Sequence, residues 1–187
     1  MKALLLLLFW HTASAAGMQL PLPEAWERAN SATKRIEPAV LPGIPRWLTT
    51  ELTRRHCSIP QSFGANRPHN IIRGFFNDGN VTDWAVVCSR ERVSTILVFW
   101  DEEAQKVAEL SSEPDANFLQ VVLRGEIGFS RAIGVATPAT IRGYHRAFGD
   151  GVLPPLSHSG INDAFVGKGS VVWYWGGGKW LRLTGAD

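Results

Sequence analysis

The sequence predicts an α+β fold: a mostly antiparallel sheet of about six to eight short strands, three helices and one disulfide. Short apolar runs rich in β-branched and aromatic residues follow one another, and turn residues separate them. Few segments carry helical spacing or capping signals. Because most of the strands are consecutive in the sequence, we expect them to pair with their neighbours in antiparallel fashion.

The N-terminal segment has the pattern of a signal peptide. Lys2 is the positive n-region, Ala3–Trp10 is the apolar h-region, and Ala13–Ala15 is a small-residue cleavage site. The apolar run is far shorter than the roughly 20 residues that a membrane span needs, and no later run is long enough. We therefore predict a periplasmic or secreted protein with no transmembrane segment after cleavage.

The chain divides into a signal peptide (1–15), an N-terminal helix and linker (16–44) and a single α+β domain (45–187). Acidic and basic residues are mixed along it without a basic block. The charge pattern therefore indicates neither nucleic-acid binding nor attraction to an anionic membrane surface.

Two cysteines, Cys57 and Cys88, are the candidates for a disulfide. Exported proteins fold in an oxidising compartment, where paired cysteines are usually bridged. Two buried thiols are the alternative, and the absence of a C-x-x-C pair disfavours a redox site. The bridge would join the end of a helix to the middle strand of a sheet.

Two helices are predicted before the sheet. Pro23–Ile36 has a weak apolar stripe, with the proline at the first helical turn. Glu37–Pro45 is a proline-rich linker. The second helix, Pro45–His56, begins at a proline and ends in basic residues, which favours a helix C-terminus.

A three-stranded antiparallel meander is the centre of the predicted sheet. Its strands are Ile71–Phe76, Trp84–Cys88 and Val93–Trp100. Side chains of the middle strand are apolar at both alternating sets of positions, so we expect both of its faces to be covered.

Shorter elements follow the meander. Ser111–Asn117 is predicted to be a polar loop, and a third helix is expected between the Thr137 cap and Gly149. The three further predicted strands are Val107–Leu110, Phe118–Leu123 and Gly128–Val135.

The last segment combines a long loop, Asp150–Asp163, with a terminal hairpin. With Gly176–Gly178 as a three-residue turn, Trp175 would face Lys179. That register puts Val171, Trp173, Leu181 and Leu183 on a dry face, and Tyr174, Trp180 and Arg182 on the other face.

Two groups of side chains are candidates for a binding site. His158, Asp163 and Lys168 lie close together in sequence, and a loop with these residue types can hold an acid–base pair or bind a polar ligand. The alternative is that Asp163 caps a turn and pairs with Lys168 at the surface. The second group is Tyr174, Trp180 and Arg182, for which ordinary cross-strand packing is the alternative.

Catalytic and metal motifs are absent from the sequence. There is no G-x-S-x-G, and no histidine pair has metal-ligand spacing, so we predict no metal and no cofactor. The segment Gly74–Asp83 distantly resembles the G-D-F-N-G-D-G-x-x-D loop of FG-GAP/VCBS-like repeats. Phe75 and Gly79 replace two of its acids, and calcium needs roughly 6–8 oxygen ligands. We therefore expect a plain turn in which Asp83 accepts bonds from backbone amides.

Three stretches resemble a group of uncharacterised exported bacterial proteins. They are a C-x-I-P-Q element at Cys57–Gln61, a D-W-A-V-x-C-S strand at Asp83–Ser89, and a tail, Trp180–Asp187, of the form W-x-x-L-x-G-A-D. The resemblance covers residues 45–187. It implies a bacterial exported protein whose two cysteines belong to the fold, and it carries no activity.

The sequence as a whole favours an exported, small, non-catalytic domain that binds a protein or a glycan in the bacterial envelope. Many aromatic residues, export and the lack of a catalytic motif support this hypothesis. The alternative hypothesis is a hydrolase that uses the segment containing His158, Asp163 and Lys168.

Overall fold

A computed structural model describes residues 23–77 and 79–186, and the predicted signal peptide lies outside these residues. Within them are three α helices, α1 (Pro23–Ala32), α2 (Arg46–Arg54) and α3 (Pro138–Phe148). The strands are β1 (Arg35–Ile36), β2 (Ile59–Pro60), β3 (Ile71–Gly74), β4 (Asp83–Arg90), β5 (Val93–Phe99), β6 (Val107–Pro114), β7 (Leu119–Val121), β8 (Ile127–Phe129), β9 (Arg131–Ala136), β10 (Gly160–Phe165), β11 (Gly169–Gly176) and β12 (Lys179–Gly185). No helix among the described residues is long and apolar enough to cross a membrane.

Two four-stranded antiparallel sheets dominate the structure. The first sheet has the order β3-β4-β5-β6, and the second has the order β9-β10-β11-β12. Two short ribbons, β1-β2 and β7-β8, complete the strand pairing of the described residues. The predicted α+β class with mostly antiparallel pairing is therefore confirmed.

Strand β4 has apolar side chains on both faces and is buried from both sides, as the sequence predicts. Its Val86 and Cys88 share one core with Leu48 and Leu52 of α2. On its opposite face, Val87 belongs to a second core that extends to residues of the second sheet. The two sheets therefore pack face to face, and α2 covers the outer face of the first.

Helix α3 covers the outer face of the second sheet. Its Ile141 packs with Val172, Tyr174 and Leu183 of the terminal hairpin. The helix starts as the sequence predicts, because the Thr137 hydroxyl accepts a hydrogen bond from the Thr140 amide. The layers run in the order α2, first sheet, second sheet, α3.

The predicted disulfide between Cys57 and Cys88 is present, with Cα atoms 4.9 Å apart. Cys57 follows α2 closely and Cys88 lies in β4, so the bridge fastens the helix to the centre of the first sheet. The backbone of Ser58 and that of Ser89 exchange two hydrogen bonds beside it, at 3.0 and 2.8 Å.

Several element boundaries differ from the sequence-based expectation. Helix α1 ends at Ala32 rather than Ile36, because the backbone of residues 35–36 pairs with β2. The segment predicted as a polar loop, Ser111–Asn117, is partly strand, since β6 continues to Pro114. Residues 112–114 are exposed on an edge strand, so the segment lacks the alternation of apolar and polar side chains that identifies a strand in sequence.

Two predictions near the C-terminus are also wrong. The expected loop Asp150–Asp163 gives way at Gly160 to β10, so Asp163 lies in a strand. A Cβ atom at Gly160 would collide with the Trp173 carbonyl, which shows how closely the two strands approach. The start of β10 is therefore set by close backbone packing in the folded protein and not by the β propensity of its residues.

The register of the terminal hairpin is the second correction. The turn has two residues, Gly177 and Gly178, both with positive φ (59° and 78°), which suits a primed two-residue turn. Trp175 consequently faces Trp180, where we expected Lys179. A one-residue shift moves every side chain of one strand to the other face, so Tyr174 does not share a face with Trp180 and Arg182.

Loss of the disulfide should destabilise the protein strongly. We expect the double variant Cys57→Ala/Cys88→Ala to lose about 3.5–4 kcal/mol of unfolding free energy, since the bridge no longer restricts the unfolded chain. Denaturant titration measures the change. Reductant should destabilise the wild type and leave the double variant unaffected, and a double variant as stable as the wild type would contradict the prediction.

Glu51 on α2 should make stability depend on pH. Hydrogen bonds from Arg54 and Arg55 lower the pKa of its carboxyl from 4.5 to about 2. The stabilisation is therefore complete above pH 4.5 and is lost as the pH falls through 2.

We expect Glu51→Gln to cost about 1–2 kcal/mol at pH 7, because solvent screens the exposed Arg54, and much less at pH 2. Urea denaturation at the two pH values measures the difference. The matched control is Glu24→Gln, an exposed residue paired with Arg28 at 3.7 Å, which should have little effect at either pH. A cost for Glu51→Gln that does not change with pH would refute this interpretation.

Candidate functional site

Asp163 is held in a buried ion pair with Arg131. Both residues lie between the sheets, and Arg131 is fully buried. Arg131 Nε and Nη2 donate to the two carboxylate oxygens of Asp163, each at 2.8 Å. The same guanidinium donates to the carbonyls of Ser94 and Ser111 in the first sheet, at 3.2 and 3.1 Å. Asp163 is therefore a structural partner that holds Arg131 in place across the two sheets.

A hollow of about 480 Å³ opens beside this ion pair, between the edge strand β6 and strands β10–β12. We call it the basic hollow because Lys168 and Arg182 lie in its wall. Its lining residues are Ser111, Glu113, Asn117, Phe118, Asp163, Phe165, Lys168, Gly169, Ser170, Val171, Trp173 and Arg182. The structure thus brings together three of the residues that the sequence identified: Asp163, Lys168 and Arg182.

The charge of the basic hollow is set by which of its groups are already paired. Arg131 balances Asp163, while Arg182 is exposed and forms no ion pair with any other described residue. Lys168 Nζ lies 4.6 Å from the centre of the Phe165 ring. Glu113, on the opposite wall, accepts a hydrogen bond from Asn117 at 3.0 Å. The wall formed by the second sheet therefore presents the exposed guanidinium of Arg182, and the facing wall contains one carboxylate, that of Glu113.

A second hollow of about 470 Å³ lies at the other end of the same hairpin. We call it the tryptophan hollow; its lining residues are Asn77, Gly79, Trp100, Asp101, Lys106 and Trp175. Lys106 Nζ lies 3.2 Å from Asp101 Oδ2, so ammonium and carboxylate groups stand beside the indole rings. Hydrogen bonds that Lys106 donates to the carboxylates of Glu103 and Asp101 raise the pKa of Lys106, which keeps it protonated.

Three tryptophans form a contiguous cluster at the tryptophan hollow. Trp100 stacks on Trp180 with ring centroids 5.2 Å apart, and Trp175 meets both rings edge to face, at 5.3 and 5.8 Å. At these distances the rings contact one another and leave no space between them for a ligand. A ligand would therefore contact the outer surface of the cluster, which is partly exposed.

Both hollows lie along one face of the β11–β12 hairpin. Trp173 pairs directly with Arg182, and Trp175 pairs with Trp180, two positions further along each strand. Residues directly opposite and two apart share a face of a sheet, so these four side chains lie on one face of the hairpin. On that face, Trp173 and Trp180 pack against the core between the sheets. Tyr174 points to the other face and packs beneath α3, where burial raises the pKa of its hydroxyl.

His158 lies in a different place from Asp163 and Lys168. It is buried and lines a third hollow with Phe75, Asn77, Gly79, Asn80 and Ser157. Its Nδ1 is 3.0 Å from the Ser159 carbonyl oxygen. Because Asp163 lines the basic hollow and bonds to Arg131 through both oxygens, the geometry gives no support to an acid–base pair of His158 with Asp163.

A serine–histidine contact that the sequence did not suggest lies near β9. Ser62 Oγ is 3.0 Å from His69 Nε2, which also accepts a hydrogen bond from the Ser62 amide at 3.1 Å. The serine hydroxyl lies 2.7 Å from the Arg131 carbonyl, to which it donates. Its proton is thus engaged with the backbone, and burial lowers the pKa of His69, so the pair fixes the loop before β3 rather than forming an activated nucleophile.

The turn that resembles a calcium loop is closed by backbone hydrogen bonds, as the sequence predicts. The Asp83 carboxylate accepts bonds from the amides of Phe76 and Asp101, at 2.8 and 2.9 Å. Burial raises the pKa of Asp83, and these amide bonds oppose the shift. Within residues 23–77 and 79–186, no group of three or more histidine, cysteine or acidic side chains is arranged to hold a metal ion.

Sequence reasoning missed the two tryptophans that share the hairpin face with Arg182 and Trp180. Trp173 was expected on an apolar packed face, and it does pack against the core between the sheets while also lining the basic hollow. Trp175 was not singled out, and it joins the same hairpin face because the turn is two residues long. The sequence does contain a signal for this turn, because a Gly-Gly pair favours a two-residue hairpin turn with positive φ at both positions. Gly177 and Gly178 form that turn. Trp100, Asp101 and Lys106 are far from the hairpin in sequence. Only the packing of the two sheets brings them to the tryptophan hollow.

Comparison with known proteins identifies no relative of this chain. No family model matches the chain, and no match was found among curated proteins or solved structures.

Breaking the Arg131–Asp163 pair should destabilise the fold. Asp163→Asn leaves the guanidinium buried without a counter-charge, and we expect a loss of about 3–5 kcal/mol in unfolding free energy. Guanidinium chloride denaturation measures it. The matched control is Asp150→Asn, which changes an exposed aspartate and should stay within about 0.5 kcal/mol of the wild type. Equal effects of the two substitutions would contradict the role assigned to the pair.

Proposed function

We propose that this protein is an exported, non-catalytic domain of the bacterial envelope that binds a glycan on the aromatic face of the β11–β12 hairpin. The observation that carries the proposal is the tryptophan hollow, where partly exposed indole rings stand next to carboxylate, amide and ammonium groups. A sugar ring has apolar C–H faces and a rim of hydroxyl groups, and this combination of side chains is complementary to both.

The aromatic part of the site supports binding through contact area and rigidity. Trp100, Trp175 and Trp180 fix one another by ring contacts of 5.2–5.8 Å. Rings that are already ordered lose little conformational entropy when a ligand stacks on them. Large, rigid aromatic side chains with one polar edge are well suited to ligands that have one apolar face and one hydrated polar edge.

The polar part of the site supplies groups that select hydroxyls. Asp101 offers carboxylate oxygens as acceptors, and Lys106 offers an ammonium donor 3.2 Å away. Asn77 adds an amide whose oxygen accepts a bond from the Gly79 amide at 2.6 Å, which fixes its orientation. Charged groups bond to neutral hydroxyls more strongly than neutral groups do.

The shape of the surface favours a small saccharide segment over a protein partner. The two hollows hold about 470 and 480 Å³, which lies within the roughly 300–1,000 Å³ typical of small-ligand sites. A protein interface instead needs a broad patch of about 800 Å² on each partner. The disulfide and the signal-peptide pattern are compatible with a periplasmic or secreted protein, where envelope glycans are available.

A non-catalytic role is supported by the state of the candidate catalytic groups. Asp163 is engaged by Arg131, His158 lines a separate hollow, and the Ser62 hydroxyl donates to a backbone carbonyl. None of these arrangements joins a nucleophile to a base that is in turn oriented by a third group.

Replacing Trp175 should remove most of the glycan affinity. The test is titration calorimetry of the mature protein with soluble peptidoglycan fragments, lipopolysaccharide O-chains, capsular polysaccharides and chitin oligosaccharides. We expect at least one of these to bind, and Trp175→Ala to weaken it by about 10- to 100-fold, since the indole supplies the stacking surface.

The matched control for this test is Trp47→Ala. Trp47 packs edge to face on Phe99, with centroids 5.9 Å apart, on the α2 side of the first sheet. It should leave glycan affinity unchanged, and thermal melts of both variants establish that they are folded. If no glycan in the panel binds, or if Trp175→Ala binds as well as Trp47→Ala does, the proposed function is wrong.

A further inference from the structure

We infer that the glycan is acidic, and that Arg182 in the basic hollow recognises a carboxylate on one of its sugar units. This inference rests on the proposed function and names the class of glycan. It follows from the distribution of charge in the basic hollow, from the position of Trp173 and from the placement of both hollows on one face of the hairpin.

Arg182, rather than Arg131, is the arginine available to a ligand in the basic hollow. Arg131 is fully buried and its Nε and Nη2 groups bond to Asp163, so neither of these two residues contributes a net charge to the hollow. Arg182 is exposed and has no ion-pair partner among residues 23–77 and 79–186. Both oxygens of Asp163 accept bonds from Arg131, and Asp163 forms no ion pair with Arg182. Arg182 is therefore free to bind an anion from solution.

The planar shape of the Arg182 guanidinium favours a planar anion. A guanidinium presents a planar pair of N–H donors that matches a planar carboxylate in two parallel hydrogen bonds. Trp173 lies directly opposite Arg182 on the neighbouring strand, and both line the basic hollow. A uronate unit can place its ring on the indole of Trp173 and its carboxylate on Arg182. A sugar without the carboxylate would satisfy only the first of these contacts.

The opposite wall of the basic hollow contains a carboxylate. Glu113 is an exposed carboxylate oriented by Asn117 at 3.0 Å, and it lines the same hollow. A carboxylate there can accept hydrogen bonds from sugar hydroxyls. It also repels a ligand that is densely charged on every side. The hollow therefore favours a uronate, with a single charge and several hydroxyls, over a sulfated polymer.

The two hollows lie at opposite ends of one face of the β11–β12 hairpin. Trp173 and Trp175 are two positions apart on β11, about 6.5–7 Å along the strand. The pairs that they form with Arg182 and Trp180 lie on one face. A linear polysaccharide that stacks on the tryptophan hollow would therefore reach Arg182 with a nearby unit.

The test compares polymers that differ only in the carboxylate. Polygalacturonate, alginate and hyaluronate are each titrated into the mature protein beside the same polymer after its carboxyl groups have been reduced to alcohols. We expect at least one uronate polymer to bind about tenfold or more tightly than its reduced partner, since hydrogen bonds to charged groups are the stronger ones. Added salt should diminish the difference.

Arg182→Gln should abolish the preference and bring the acidic polymer to the affinity of its reduced partner. Arg182→Lys should restore part of it, because an ammonium keeps the charge but loses the planar pair of donors. The matched control is Arg142→Gln, which removes an exposed arginine on α3 at the opposite side of the second sheet and should keep the full preference.

Each failure identifies a different error. Equal affinity of all three acidic polymers and their reduced partners, or a preference that survives Arg182→Gln, overturns the inference and leaves the proposed function standing where glycans still bind. If dextran sulfate binds more tightly than every uronate polymer, the hollow attracts anions in general rather than recognising a carboxylate. That result also overturns the inference. Failure of every acidic and neutral glycan to bind rejects the proposed function itself.

Discussion

The buried ion pair of Arg131 and Asp163 is the interaction on which the arrangement of the two sheets depends. Arg131 belongs to β9 of the second sheet, yet it donates to two carbonyls of β5 and β6 in the first. Its guanidinium also lies 4.4 Å from the centre of the Phe118 ring. A charged group this deeply buried is tolerated only where it is fully paired, so the two sheets are held in one relative position. That position determines the gap beside β6 that becomes the basic hollow.

The second constraint is the two-residue turn of the terminal hairpin. Because Gly177 and Gly178 both take positive φ, the register places Trp173, Trp175, Trp180 and Arg182 on the face towards the first sheet. Val172, Tyr174 and Leu183 then face α3 and form the opposite core. One extra residue in the turn would exchange these two sets on one strand. The candidate site and the outer core are therefore consequences of the same local geometry.

Much of the fold could be predicted from local sequence, and most of the site could not. The meander and the third helix with its Thr137 cap each have a local signal in the sequence. The disulfide joins cysteines 31 residues apart and is predicted from their number and from the signal-peptide pattern. Strand β10 and the end of β6 lack such a signal, because packing between strands forms them. Of the predicted site residues, Asp163, Lys168 and Arg182 meet in the basic hollow, and Trp180 lies on the same hairpin face within the tryptophan cluster. His158 and Tyr174 lie elsewhere. Contacts between sheets, such as those of Trp100, have no local signature.

The central claim is that the aromatic face of the β11–β12 hairpin contacts the glycan, and the indole N–H signals in nitrogen–proton correlation spectra test it most directly. The measurement follows each assigned tryptophan during titration with the tightest-binding glycan. Our account predicts saturable shifts for Trp173, Trp175 and Trp100, while Trp26 on α1 and Trp47 on α2 remain unchanged. Shifts confined to Trp26 and Trp47, or none at any tryptophan while calorimetry reports binding, would contradict it.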